Sequence, residues 1–460
     1  MDKIQYDVII IGAGFAGLAA LSVLKNSGCN VCLLEARDRI GGRVLTIRPQ
    51  TCRFPIELGA EFVHGETNPL WDLVVESGVR ASIATKKNWT SENGRLRLNR
   101  NYYQQVEKIF QDLYVLANST EHDMSFEEFA KQLLQSPTAS VSAVVGEEPC
   151  ASTEKGLQQT RDFLHSLMGS DPNPMSIRFL SRGVDAEKAN GTDDFRILDG
   201  YDQLARYLVD SLGSRQPIHL STKATKIEWT KGAVVCHAEH SGSPVQFAGR
   251  AALLTVPPVL LGTTHSASIA FEPRLDKDLS LIGSSRVIKL VVQFSENFWE
   301  RANIDGSGED YLEFGYLNCA EAEISTWWCQ HPIVSPTLTA WISGDDCRRI
   351  PDSEPELRNM IARSLQCAFD VNAQDILQMM VAVYWHDWNN DPYSMGAYSL
   401  RLASGDQQAA VLAEPVDDTL FFAGEASNTE GCSGTVHGAL QTGWRAAGEI
   451  LAVMRDSKSI

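Results

Sequence analysis

The run Tyr6-Asp7-Val8-Ile9-Ile10-Ile11-Gly12-Ala13-Gly14-Phe15-Ala16-Gly17 sets three glycines in the form GxGxxG between two segments of opposite character. Tyr6 to Ile11 is a short β-branched run that reads as a fully buried parallel strand, and Phe15 to Asn26 has helical composition ending near Gly28. In that setting the first glycine makes the tight turn, the second lets the backbone approach a pyrophosphate, and the third lets helix and strand pack closely. The helix N-terminus adds unpaired N–H groups and the positive end of its dipole. After a second strand, Asn30 to Leu34, comes Glu35, placed to accept hydrogen bonds from a ribose diol. A glycine turn alone recurs by chance. With both flanking elements and the acid in place, it predicts a Rossmann-type α/β unit holding a dinucleotide.

The same apolar run could export or anchor the chain. Its uncharged part, Val8 to Leu24, is shorter than the roughly 20 residues a membrane helix needs, and no cleavage site follows. The expectation is a cytoplasmic protein with no membrane partner. A net charge of -18 also argues against nucleic acid as a partner, and would attract cations. The 10 cysteines form neither a dense disulfide framework nor a metal-ligand array. Cys29 and Cys32 make a CxxC, but inside a segment that reads as strand. No metal site is expected.

At 460 residues the chain exceeds what one core usually organises, so two domains are expected. Ser136 to Ser152, rich in small residues, reads as a surface loop. Leu70 to about Phe195 reads as largely helical, with a capping box at Ser125 and Glu128. Strand character returns in HLSTKATKIEWTKGAVVCHAE, AALLTVPP, RVIKLVVQF and LTAWISG. The C-terminal RAAGEILAVMRDSKSI reads as an amphipathic helix with a charged tail.

The segment Glu35-Ala36-Arg37-Asp38-Arg39-Ile40-Gly41-Gly42-Arg43 resembles the RxGGR signature of the flavin-containing amine oxidase family, which spans polyamine oxidases, monoamine oxidases and lysine-specific histone demethylases. Gly41 and Gly42 permit close backbone approach, and Arg43 offers a planar fork to a phosphate. FAD is therefore favoured over NAD. No second GxGxxG follows, so the substrate itself would reduce the flavin. Further motifs carry the same resemblance, most closely to polyamine oxidases: Leu420-Phe421-Phe422-Ala423-Gly424-Glu425 with its continuation to Gly434 and Thr435, and Trp388 to Ser399, similar to W-x-x-D-P-Y-x-x-G-x-Y-S. They extend to the VIK-x-x-x-x-F stretch around Lys289 and to Gly59-Ala60-Glu61-Phe62-Val63-His64-Gly65.

The resemblance implies an α/β, two-domain FAD-dependent amine oxidase fold: a Rossmann-type FAD domain from 1–70, 196–275 and 386–455, and a mixed sheet-and-helix substrate domain from 71–195 and 276–385. It implies FAD contacts at Gly12, Ala13, Gly14, Gly17, Glu35, Ala36, Arg37, Gly42, Arg43, Gly59, Ala60, Glu61, Phe62, Ala224, Trp388, Tyr393, Gly424, Glu425, Gly434 and Thr435. Catalytic roles fall to Lys289, as holder of a water at flavin N5, to Tyr398 and Thr435 as walls of the amine cage, and to His64 facing the amine. A lysine in an apolar strand otherwise snorkels to solvent. Ala397 stands where monoamine oxidases carry the flavin-linking cysteine, so FAD should be non-covalent. Thr435 stands where they carry a second cage tyrosine. Glu61 and Glu66 are the weak candidates for gripping a distal ammonium, and His437 reads as a packing residue.

The activity implied is oxidation of a polyamine such as spermine or spermidine: hydride transfer to flavin N5, hydrolysis of the imine, and reoxidation by O2 to hydrogen peroxide. The implied protein is a monomer or homodimer whose partners are a small amine and O2. The alternatives are a monoamine-type oxidase or an L-amino-acid oxidase. The latter needs an arginine for the substrate carboxylate, with Arg196 and Arg286 not excluded. A chromatin-associated demethylase and a scaffold without turnover are the remaining rivals.

Overall fold

The computed structural model describes residues 5–99, 102–135, 149–213, 217–262, 268–302, 304 and 314–456. The loop expected at Ser136 to Ser152 falls mostly outside them, and its last four residues belong to the helix Pro149–Met168.

Two sheets organise the chain. In the first, strands run in the order Ile218–His219, Val31–Leu34, Tyr6–Ile11, Ser243–Leu254, Ala233–His240, Thr222–Thr230 and Ala270–Glu272, with Leu420–Phe422 also on Ser243–Leu254. Tyr6–Ile11 pairs in parallel on both sides, with Val8 opposite Val31 and Ala251. Its alternation has two apolar faces to fill. Val8 and Ile10 pack under the helices Phe15–Asn26 and Val436–Asp456, while Ile9 and Ile11 enter a second cluster with Leu254 and Phe422. Those two helices cross closely, since a Cβ on Gly443 would lie 2.2 Å from the Ala16 carbonyl oxygen. The CxxC is no redox turn: Cys32 lies buried in the strand Val31–Leu34.

The second sheet runs Met380–Asp387, Val287–Phe294, Thr337–Ser343, Thr326–Cys329, Tyr316–Asn318, Asn88–Glu92 and Arg95–Leu98. Val287–Phe294 is buried along its whole length. Ile288, Leu290, Val292 and Phe294 join a core that includes Leu357, Ile361 and Leu365 of the helix Glu354–Phe369. The alternate residue Val291 instead meets Ile56 and Leu58. Period-two alternation therefore turns Lys289 away from that helix and toward the first third of the chain.

A third sheet of three short strands sits between them, in the order Phe62–His64, Asp194–Ile197 and Ala81–Ile83. The region from Leu70 to Phe195 contains the expected helices, including a formed capping box in which Ser125 N–H meets Glu128 Oε2 at 2.9 Å and Glu128 N–H meets Ser125 Oγ at 3.2 Å. It is not helical throughout, however. Ala81–Ile83, Asn88–Glu92 and Arg95–Leu98 are strands, the last two a hairpin whose turn residues Asn93 and Gly94 have φ of 53° and 72°. The Asn-Gly pair between alternating residues was the overlooked signal.

Gly443→Val should destabilise the folded protein by about 1–3 kcal/mol or more, because the helix crossing has no room for a branched side chain. Thermal unfolding against the wild type checks this, with Gly448→Ala, at a site with open space around its Cβ, as the neutral control.

Candidate active site

The glycine turn has the tight packing that its spacing requires. Gly12 has φ of +107°, and a Cβ on Gly17 would lie 2.0 Å from the Gly12 carbonyl oxygen. Around Gly14, by contrast, the space is open. Glu35 braces the turn from the next strand: Ala13 N–H donates to Oε2 at 2.7 Å and Arg37 N–H to Oε1 at 2.8 Å. The Gly41-Gly42-Arg43 turn lies against it, with Gly41 N–H on the Ala13 carbonyl at 2.8 Å. Arg37 reaches Ser394 Oγ at 3.0 Å, contacts the Asp391 carboxylate and lies over the Tyr393 ring.

Glu425 gathers the C-terminal motifs. Its carboxylate accepts from Arg43 Nη1 at 2.9 Å, Ser399 Oγ at 2.7 Å and Gly434 N–H at 2.7 Å. Burial alone would raise its pKa; the Arg43 charge and these hydrogen bonds outweigh burial and hold it below the ordinary carboxylate value. Arg43 Nη1 also donates to the Ala397 carbonyl at 2.9 Å, so part of its fork serves the protein. Thr435 is an N-cap for the last helix. Its hydroxyl donates to the Cys432 carbonyl at 2.7 Å and accepts from Gly438 N–H at 3.0 Å. Tyr398 stands over Gly434, with its hydroxyl bonded to the Leu167 carbonyl. Trp388 is fixed by Nε1 donating to the Leu58 carbonyl at 2.9 Å.

These groups open on one cavity of about 1450 Å³. A single small-molecule pocket commonly holds about 300–1,000 Å³, so there is room for a dinucleotide and a second molecule. Of the cofactor and catalytic residues that the resemblance implies, all line it except Ala13 and Gly17, which are packed inside the turn behind it. Glu66 and Arg286 are exposed and outside the lining.

The three-stranded sheet gives the cavity its charged wall. Antiparallel register sets Phe62 opposite Arg196 and His64 opposite Asp194. These four share the face that lines the cavity, while Val63 and Phe195 turn into the core. Cross-strand neighbours interact directly: Arg196 lies over the Phe62 ring, and His64 Nδ1 meets Asp194 Oδ1 at 2.6 Å. His64 is accessible through the cavity yet surrounded by protein at depth. That burial lowers its pKa, but the hydrogen bond and charge of Asp194 offset it, so the imidazole ends above its ordinary value.

Lys289 is 1% exposed, which rules out snorkelling. Its Nζ donates to the Gly59 carbonyl at 3.1 Å and contacts the Glu61 carboxylate. Glu61 also contacts Arg196 and accepts from Trp328 Nε1 at 3.3 Å. Burial pushes the Lys289 ammonium well below the usual lysine range; Glu57 opposes the shift and Arg196 adds to it. Burial likewise lowers Arg196 to about 10 and raises Glu57 to about 7.

Sequence reading missed several wall residues. The rings of Trp328 and Trp341 lie 6.0 Å apart and tilted, the latter directly across from Lys289 in the sheet, and Tyr316 lies 6.0 Å from Trp328. The pattern TWWC beside LTAWIS marked strands, but only their pairing shows which tryptophans share the lysine's face. His437 is buried near Asn190 Nδ2, and burial, then His64, lowers it to about 4. Among the described residues no cluster of His, Cys, Asp or Glu could hold a metal, and no helix is long and apolar enough to cross a membrane.

Asp194→Asn should drop the His64 pKa below that of the wild type, because burial then loses its main opposition and only the Glu187 charge still acts against it. Titration of the imidazole proton signals by NMR reads the shift directly, and an unchanged midpoint would contradict the pairing.

Comparison with known proteins places these features among relatives. A family model described as flavin containing amine oxidoreductase matches residues 15–451. Polyamine oxidase 3 of Oryza sativa subsp. japonica is 27% identical over 460 aligned residues, covering 96% of this chain and 88% of the relative. Lysine-specific histone demethylase 1 homolog 2 of the same organism is also 27% identical, over 98% of this chain, but the chain spans only 57% of its length. Wild-type putrescine oxidase bound to putrescine superposes with a TM-score of 0.73 at 20% identity, covering 98% of this chain and 99% of that one. Cyclohexylamine oxidase from Brevibacterium oxydans IH-35A gives 0.74 at 21%, covering 98% and 100%.

Proposed function

The chain belongs to the flavin-containing amine oxidoreductase family, and we propose that it binds FAD non-covalently and oxidises a polyamine such as spermine or spermidine. The observation that carries this reading is the single cavity that joins the Gly12–Gly17 turn to an aromatic wall containing a buried lysine. The wall is Phe62, Trp328, Trp341, Trp388 and Tyr398.

The lining residues fit FAD. Open space over Gly14 admits a pyrophosphate against the first-turn N–H groups of the helix. Glu35 keeps lone pairs for a ribose, and Ala36, Arg37, Gly42, Arg43, Ala224 and Gly424 line the same run. Gly59, Ala60, Trp388, Tyr393 and Gly434 would meet the rest of the cofactor. Bound there, FAD supplies the acceptor for the hydride equivalent leaving the carbon beside the nitrogen and passes the electrons to O2.

The protein's part is to orient the amine and keep it dry. Aromatic faces attract ammonium groups by their quadrupoles, and Tyr398 is held rigid by its bond to Leu167. Lys289, with its ammonium destabilised by burial and two acceptors already satisfied, would hold a water or a proton at the reacting end. His64, in its neutral form with Nδ1 held by Asp194, would accept at Nε2 from an N–H of the amine. Thr435 serves by capping the helix that ends at the cavity. We assign the cofactor to the pieces 1–70, 196–275 and 386–455 and the amine chiefly to the remainder.

An L-amino-acid substrate is less well served. Arg286 is exposed outside the lining, and Arg196, which does line it, is already in contact with Glu61.

Peroxide release by the FAD-loaded protein, measured against spermine, spermidine, N-acetylated polyamines, small monoamines and L-amino acids with anaerobic bleaching in parallel, tests the reading. Turnover with polyamines is expected, and silence towards every amine would end it. Lys289→Met should slow flavin reduction or reoxidation at least about tenfold while the flavin stays bound, within the range of a positioned proton-transfer group. Rapid-mixing spectra separate the two half-reactions, and flavin loss would reassign Lys289 to cofactor binding.

A further inference from the structure

We propose that Glu61 is a specificity-determining residue: an internal carboxylate that occupies Arg196 and thereby excludes amines that carry a carboxylate of their own. The inference rests on the amine-oxidation reading and names what the same cavity refuses.

A buried arginine on a cavity wall is the chemistry that recognises a carboxylate. Arg196 is 4% exposed and lines the cavity beside Lys289. Left uncovered, this wall would present two cations to an incoming amino acid. It is not uncovered. The Glu61 carboxylate contacts both Arg196 and Lys289 and accepts from Trp328 Nε1 at 3.3 Å, so one acid is shared among three donors on two sheets. The remaining Arg196 contacts are neutral: Gln330 Oε1 at 3.0 Å and the Cys329 carbonyl at 3.4 Å. Its Nε has no hydrogen-bond partner among the described residues, so the guanidinium keeps donor capacity beside the Glu61 carboxylate.

A substrate carboxylate must therefore either displace Glu61, leaving a buried acid unpaired, or settle beside it against like-charge repulsion. Both are costly in a dry site. Simple amines meet neither obstacle. Discrimination thus arises from a built-in repulsive element as much as from attraction to the amine.

Matched substrates isolate the effect, because L-ornithine is putrescine with a carboxylate added and L-lysine is cadaverine with the same addition. The kcat/KM ratio within each pair, and the affinity for benzoate read from flavin absorbance, are compared in wild-type holoenzyme, Glu61→Gln and Glu61→Gln/Arg196→Gln. Glu61→Gln should lower the amine-to-amino-acid ratio and tighten benzoate by at least about tenfold, the scale of one charge-assisted hydrogen bond. The double variant should lose both gains. Unchanged ratio and benzoate affinity in folded Glu61→Gln, a gain that survives loss of Arg196, or a wild type that takes L-ornithine as readily as putrescine would each overturn the proposal. Glu61→Asp, which keeps the charge, should fall between and serves if the glutamine variant does not fold. Should no amine or amino acid be turned over, the benzoate arm still decides the role of Glu61 while the amine-oxidation reading alone fails.

Discussion

The carboxylate of Glu425 ties together three separate stretches of chain. Arg43 comes from the turn after the second strand, Ser399 from the strand that follows the Trp388 segment, and Gly434 from the loop before the last helix. A buried acid is tolerable only when it is paired and fully hydrogen-bonded, so its presence commits all three partners to their places. Those partners carry the two ends of the cavity with them: Arg43 fixes the GGR turn against the glycine turn, while Ser399 and Gly434 set Tyr398 and the mouth of the last helix. The cavity thus inherits its shape from one satisfied charge.

A second charged group lies deeper, around Glu61. Here Lys289, Arg196 and one acid share a dry wall, and burial depresses both Lys289 and Arg196, the Arg196 charge adding to the shift at Lys289. Glu57, close enough to act on both, titrates near 7. The chemistry available at Lys289 is therefore a property of the group rather than of the lysine alone, and the aromatic residues around it keep the dielectric low enough for that coupling to matter.

Much of this was legible in the sequence because it rests on local rules. Tyr6–Ile11, Phe15–Asn26 and the Ser125–Glu128 capping box follow from β-branching, helical composition and side-chain chemistry within a few residues. The motif residues from Gly12 to Gly434 converge on one cavity because their spacing encodes turns. What was not legible depends on pairing between distant strands. No local signal says that Trp341 stands across from Lys289, or that Asp194 stands across from His64. Thr435 adds a role that its position alone does not announce: it lines the cavity, and its hydroxyl caps the last helix.

The ribbon of Phe62–His64 on Asp194–Ile197 carries functional side chains on one face and core side chains on the other. Because the two alternate residue by residue, an insertion or deletion of a single residue in one strand would trade that strand's pair, His64 for Val63 in the first or Arg196 for Phe195 in the second. Substitution at these positions leaves the pairing of the ribbon intact, whereas a change in its length does not. New substrate preferences are then reached by substitution in place, and indels must accumulate elsewhere, in the connections that no functional pair spans.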